Sequence, residues 1–194
     1  ECFAHPTAHL PIQNHFELYN RWAKGGAGIL ITGNVMVDKR YKEAPGNVSS
    51  EGGKGEEDMV KLLTEWNKRT KEGGNSLLVM QISHPGRQSP MSVTSKPIAP
   101  SPVPLSFPLP GFLFHSPTEM THEQVEEAIE KYAICAERAK KAGWDGVQIH
   151  SAHGYLLSQF LSPKINQRQD KWGLGKEGKM GRVLQLVVQR VRER

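Results

Sequence analysis

A chain of 194 residues is the size of one ordinary domain, and with 37% apolar and 23% charged residues it reads as soluble and globular, not disordered or fibrous. It has no run of about 18 apolar residues, and the opening Glu1-Cys2-Phe3-Ala4-His5-Pro6 lacks the basic-then-apolar pattern of a signal peptide, so no membrane partner is expected. The net charge of +5 arises from basic residues scattered among acids, without an aromatic-interleaved basic stripe, which argues against nucleic acid and for a solvated basic surface.

Residues 16–24 begin the pattern with Phe16, Leu18, Tyr19 and Trp22 at helical spacing, and the apolar run 28–32 follows as a strand. From Glu56 to Lys71 the residues Met59, Leu62, Leu63 and Trp66 share one helical face, and Gly73-Gly74-Asn75 stops the helix. Residues 76–82 form the second strand. The proline-rich stretch 89–117 is too long for an ordinary connection and is expected to be a loop on the active-site side. Thr121 and Gln124 make a capping box, after which Val125, Ala128, Ile129, Tyr132, Ala136 and Ala139 form an apolar stripe. Cys135 within that helix reads as a small buried hydrophobe. With only Cys2 besides, there are too few cysteines for a disulfide framework and no metal-ligand spacing, and a reducing, cytoplasmic setting is expected. The third strand is 146–149, and a last helix is expected from about Gly178 through Val183, Leu184, Leu186, Val187, Val188 and Val191.

Short continuous apolar runs predict strands buried on both faces, as in a parallel sheet, and helix–strand alternation predicts right-handed crossovers in an α/β fold. Three such strands cannot close on themselves, so they form either a small open sheet or part of a larger one.

Working residues in parallel α/β folds gather at the C-terminal strand ends. Here those ends read Thr32-Gly33-Asn34, Gln81-Ile82-Ser83-His84-Pro85-Gly86-Arg87 and His150-Ser151-Ala152-His153-Gly154-Tyr155. The paired histidines suit a metal site, acid–base work, paired donation to a carbonyl or nitro oxygen, or simple polar packing. No Asp, Glu or Cys cluster accompanies them, so no metal is expected. Tyr155, two residues past His153, adds a phenolic proton donor. His84 and Arg87 fit the mouth of a site and the fixing of the long loop equally well. Asn166, Arg168 and Asp170 read as loop architecture.

The segment from Gly143 to Asp170, Gly-Trp-Asp-Gly-Val-Gln-Ile-His-Ser-Ala-His-Gly-Tyr-Leu-Leu-Ser-Gln-Phe-Leu-Ser-Pro-Lys-Ile-Asn-Gln-Arg-Gln-Asp, closely resembles the fourth-strand region of the Old Yellow Enzyme (NADH:flavin oxidoreductase) family. Gln81-Ile-Ser-His-Pro-Gly-Arg-Gln88 is similar to the end of that family's third strand. Gly26-Ala-Gly-Ile-Leu-Ile-Thr-Gly-Asn34, with Ala44-Pro-Gly-Asn47, is similar to its second strand and following loop. The resemblance implies one incomplete FMN-binding domain over residues 1–194, a partial (β/α)8 TIM barrel. It would hold about strands 2 to 4 and helices 1 to 4, with strand 1 and strands 5 to 8 missing.

The implied activity is that of an ene-reductase, passing hydride from NADH or NADPH through FMN to a small activated alkene. In that reading His150 and His153 bind the oxygen of the alkene's activating group, by the logic of an oxyanion hole. Tyr155 supplies the proton. Gln81 and His150 contact the flavin, with Gly33 and Asn34 beside it.

The sequence departs from the family in three places. The opening strand has no counterpart, the later strands with the phosphate-cradling loops are absent, and the element after Asp170 reads Trp172-Gly-Leu-Gly-Lys-Glu-Gly-Lys179 where the family has a second glycine and an asparagine. The missing initiator methionine fits a processed, trimmed or incomplete terminus. The isolated fragment is therefore expected to hold FMN weakly, to be inactive alone and to be prone to associate, which leaves a homo-oligomer open. The alternative readings are a non-catalytic remnant or interaction fragment, and a dienoyl-CoA reductase relative, whose iron–sulfur cysteines are not in this sequence.

Overall fold

A computed structural model describes residues 2–106, 113–175 and 178–194. Glu1, residues 107–112 of the 89–117 excursion, and Lys176 and Glu177 ahead of the last helix lie outside the described residues. The elements in chain order are α1 (Gln13–Lys24), β1 (Ile29–Ile31), β2 (Val35–Met36), α2 (Glu56–Lys71), β3 (Leu77–Ser83), β4 (Ile98–Ala99), β5 (Thr118–Glu119), α3 (His122–Lys141), β6 (Gly146–Ile149), α4 (Leu156–Leu161) and α5 (Arg182–Glu193).

All pairings in the main sheet are parallel. β3 is central, with Leu30 opposite Leu78 and Val35 opposite Ile82 on one side, and Gln148 opposite Gln81 on the other. Because β1 and β2 both lie along the same side of β3, they act as one strand interrupted at Thr32-Gly33-Asn34. The interruption is bridged by side chains and backbone: Gln81 N–H donates to Thr32 Oγ1 at 3.0 Å, and Gly33 N–H donates to the Tyr19 hydroxyl at 3.1 Å. The strands therefore lie in their order along the chain, as successive right-handed crossovers require.

The helices cover one face only. Leu30, Leu78, Met80 and Ile82 are buried in a single core with Tyr19 of α1, Leu63 and Trp66 of α2, and Ile129 and Tyr132 of α3. Trp66 is the hub of the lower core: its ring meets Tyr19 edge-on at 5.1 Å and Trp144 at 5.3 Å, and Trp144 Nε1 donates to Leu63 O at 3.0 Å. On the opposite face Ile29, Ile31 and Leu77 are 58%, 45% and 48% exposed. This corrects the expectation of strands buried on both faces: β1 and β3 alternate in burial, and their open face is itself apolar, which made the runs look continuous.

Other expectations hold with small shifts. α2 has the predicted bounds, and the capping box of α3 is present in both directions, with Gln124 N–H to Thr121 Oγ1 at 3.2 Å and Thr121 N–H to Gln124 Oε1 at 2.9 Å. Cys135 is buried and free. The last helix starts at Arg182, later than Gly178, because Gly181 takes a left-handed φ of 81° at its N-cap. The short parallel pair β4–β5, where Ile98 faces Thr118, ties the middle of the long excursion to the residues that follow it. Among the described residues no helix is long and apolar enough to cross a membrane.

Candidate functional site

His150 sits one residue past β6, where its N–H donates to Ile82 O at 3.0 Å and so continues the β6–β3 ladder. From there the chain must turn sharply. His153 and Gly154 take left-handed φ values of 54° and 71°, and His153 is one of only two non-glycine residues to do so among those described. Side chains from two other elements hold the turn. Gln88 Nε2 donates to His153 O at 2.8 Å, and the buried Gln159 of α4 donates to Gly154 O at 2.7 Å and to Pro85 O at 3.1 Å. The ends of β3 and β6 are thereby locked together.

The turn brings three rings into one group. The His150 and Tyr155 rings stack with centroids 4.9 Å apart, and His153 meets His150 at 5.0 Å. His150 Nε2 lies 3.2 Å from His153 Nδ1, while His150 Nδ1 faces Ala152 N–H at 3.4 Å. Since Nδ1 of His150 accepts, a neutral His150 carries its proton on Nε2 and donates it to His153, which leaves the His153 proton on Nε2. In this arrangement the pair offers one outward N–H. Burial, and then the neighbouring His153, hold the His150 imidazole below its ordinary value and so favour that neutral form.

Glu43, from the loop after β2, completes the cluster. Its Oε2 accepts a hydrogen bond from the Tyr155 hydroxyl and another from Asn34 Nδ2 at 2.6 Å. Burial, and then this carboxylate, raise the Tyr155 phenol well above the ordinary phenol range. The structure thus brings His150, His153, Tyr155 and Asn34 together. Gly33 lies next to Asn34 with its N–H on Tyr19. Gln81 is set apart on the open sheet face, where its Nε2 donates to Gln148 Oε1 at 2.5 Å.

Sequence reasoning missed Glu43, Gln88 and Gln159. Gln88 and Gln159 stand inside the segments that carry the family resemblance, but their holding roles depend on chain turns that spacing does not reveal. Glu43 directly precedes Ala44-Pro45-Gly46-Asn47, and only its position in that matched loop could have marked it.

Of the undecided residues, His84 is buried and its Nδ1 accepts from Gly86 N–H at 3.0 Å, while Arg87 Nη1 donates to Val103 O and Pro104 O, both at 2.9 Å. Arg87 therefore fixes the long excursion. Arg168 binds Asp170 and also donates to Pro100 O at 3.1 Å and Met120 O at 2.6 Å, which supports the architectural reading. Among the described residues no group of three or more His, Cys, Asp or Glu is placed to hold a metal ion.

With this geometry in hand, residues 5–194 match the NADH:flavin oxidoreductase / NADH oxidase family. The chain belongs to that family. It is 36% identical over 191 residues to the NADH-dependent flavin oxidoreductase nadA of Aspergillus parasiticus, covering 94% of this chain and 42% of that protein. It is 37% identical to an NADH oxidase of Thermoanaerobacter brockii, covering 93% of this chain and 27% of the other. A solved 2-naphthoyl-CoA reductase in complex with 2-naphthoyl-CoA superposes with a TM-score of 0.87 at 25% identity, over 100% of this chain and 30% of that one. The chain spans less than half the length of these relatives. A mixed α/β fold follows.

A flavin can be tested against the residues present. Asn34 Oδ1 is a buried acceptor with no hydrogen-bond partner. It stands at the break between β1 and β2, beside an open face that carries Ile31 and the amides of Gln81 and Gln148. An acceptor awaiting a donor, next to a flat face with further amides, fits the polar edge of a flavin ring.

Proposed function

We propose that the chain forms the second, third and fourth strands of an FMN-binding (β/α)8 barrel that reduces a small activated alkene with NADH or NADPH. The observation that carries the reading is the convergence of His150, His153 and Tyr155 at the ends of parallel strands, next to Asn34 and its unpartnered carbonyl oxygen. The single-sided helix cover and the in-order strands support the barrel: an open apolar face opposite the helices is what a barrel turns inward. The 89–117 excursion, rooted at these strand ends, is the loop on the substrate side.

In this reading Gln81, Asn34, Gly33 and His150 hold the isoalloxazine, and the flavin, when bound, supplies hydride taken from the nicotinamide. His150 and His153 bind the carbonyl or nitro oxygen of the alkene. Donors aimed at that oxygen stabilise the negative charge that develops there as the β-carbon is reduced. Two-point binding requires the His153 ring to turn, since its Nδ1 now accepts from His150. Tyr155 gives its hydroxyl proton to the α-carbon.

The family's phosphate-cradling loops lie outside this sequence, so the test uses a completed barrel in which this chain replaces the matched part of the Aspergillus parasiticus protein. Under anaerobic conditions NADH or NADPH should bleach the FMN band of this chimaera, and an enone should restore it. His153→Ala, which removes a donor to the substrate oxygen and no flavin contact of this reading, should leave bleaching intact and slow enone-dependent recovery by on the order of 100-fold. A chimaera that bleaches but never recovers with any enone or nitroalkene overturns the substrate class; one that binds no flavin overturns the cofactor.

A further inference from the structure

Glu43 is held in its place. Its Oε1 accepts from Asn47 Nδ2 at 3.2 Å, and Asn47, fully buried, uses its Oδ1 to accept from Ala44 N–H at 2.7 Å. That second bond fixes which way the Asn47 amide faces, so its N–H must point at the carboxylate. Asn34 Nδ2 fixes the other oxygen at 2.6 Å. The carboxylate is therefore clamped between two amides before Tyr155 is considered, and the phenol reaches it from 112 residues away in sequence. With one amide on each oxygen the carboxylate is fixed in orientation, and the hydroxyl of Tyr155 donates to the Oε2 that Asn34 also binds.

We propose that Glu43 is the positioning residue for Tyr155, aiming its hydroxyl and retaining the proton until a substrate competes for it. The proposal rests on the reading of Tyr155 as the proton donor. The titratable groups around the phenol are Glu43 from the loop after β2, Cys2 from the N-terminal segment, and His150 and His153 from the turn after β6. Of these, Glu43 accepts the hydrogen bond of the phenolic hydroxyl. Its negative charge opposes formation of a phenolate beside it, so the resting site is neutral at Tyr155. The hydroxyl donates to Glu43 of the loop after β2, and donates elsewhere only by turning about its C–O bond.

The test uses the 194-residue chain without flavin, carrying ¹³Cζ-labelled tyrosine, with the Tyr155 resonance assigned by its loss in Tyr155→Phe. In the parent chain Tyr155 should remain a phenol at pH values where an ordinary tyrosine is already ionised. Glu43→Gln keeps the size and an acceptor oxygen but removes the charge, and the Tyr155 titration should fall by about 1–3 units. Glu43→Asp retains the charge and should keep the titration above that of Glu43→Gln. Thermal unfolding of each variant reports whether it folds, and if Glu43→Gln does not, the same comparison is made with Asn34→Ala and Asn47→Ala, which unclamp the carboxylate. Identical Tyr155 titration in the parent and the charge-removing or unclamped variants, with stability alone changed, overturns the proposal. Because no flavin or alkene is involved, this failure is distinct from a failure of enone-dependent recovery in the chimaera.

Discussion

His84 shows how strongly position in this fold governs a side chain. It is fully buried at the end of β3, with its ring 5.1 Å from that of Tyr41 and its Nδ1 accepting the Gly86 N–H. Accepting at Nδ1 requires the neutral ring. Burial pushes its pKa down to about 4, despite the attraction of the Asp38 carboxylate. His15 of α1, equally buried, is also lowered by burial to about 4. A histidine whose folded pKa lies below its unfolded value binds its proton more readily in the unfolded chain. Stability is then complete above the unfolded value near 6.5 and is lost as pH falls toward 4. For a fully buried histidine shifted this far the loss is about 3 kcal/mol by pH 4. Asp38 behaves differently: burial opposes its ionisation, but hydrogen bonds from Arg40 and Lys131 hold its carboxyl far below the usual range, so its contribution is lost only in stronger acid. Urea midpoints between pH 7.5 and 4 should fall in the parent, and His84→Asn should flatten that slope. An unchanged slope in the variant would refute the assignment.

At the scale of elements, a second guanidinium joins Arg87 in holding the described part of the long excursion. Arg168 is almost wholly buried, pairs with Asp170, and donates to the carbonyls of Pro100 and Met120, which follow β4 and β5. One planar, five-donor group thus ties the backbone just after β4 and just after β5 to the turn before Trp172. Arg168→Met takes the guanidinium from Asp170, which keeps the Trp172 N–H, and from the carbonyls of Pro100 and Met120, and should cost about 3 kcal/mol. Proteolysis between residues 89 and 117 should quicken in the same variant; a cleavage rate equal to the parent's would show the loop is held elsewhere. The sequence made legible the elements long enough to show a period: α2, α3 with its Thr121–Gln124 box, and β6 with the histidine turn after it. It could not show β2, β4 and β5, whose two residues each carry no period, nor the six-residue α4. The open face of the sheet was hidden for another reason, since Ile29, Ile31 and Leu77 are as apolar as the buried residues between them. Glu43 stayed invisible because its meaning lies in a contact with Tyr155 from a distant strand end.

For the whole molecule, the decisive feature is that the sheet has two unlike sides. Helices bury one, and the other exposes Ile29, Ile31 and Leu77 together. Among the described main-sheet strands β1 and β6 each pair only with β3, so both outer edges carry backbone groups without a strand beside them. An apolar face flanked by open edges favours contact with another surface over contact with water. In the proposed barrel that surface is the rest of the barrel interior; for the chain alone a second copy is the expected partner. Sedimentation velocity over a concentration series should therefore show reversible association. Leu77→Lys places a charge on the open face without disturbing Leu78, whose side chain lies on the buried one, so it should weaken association while leaving the unfolding midpoint nearly unchanged. A substitution on the helical face, such as Leu78→Lys, should instead unfold the chain, because it places an unpaired charge in the core. If Leu77→Lys associates as strongly as the parent, copies meet through another surface, and the exposed Val188 on α5 is the next to change.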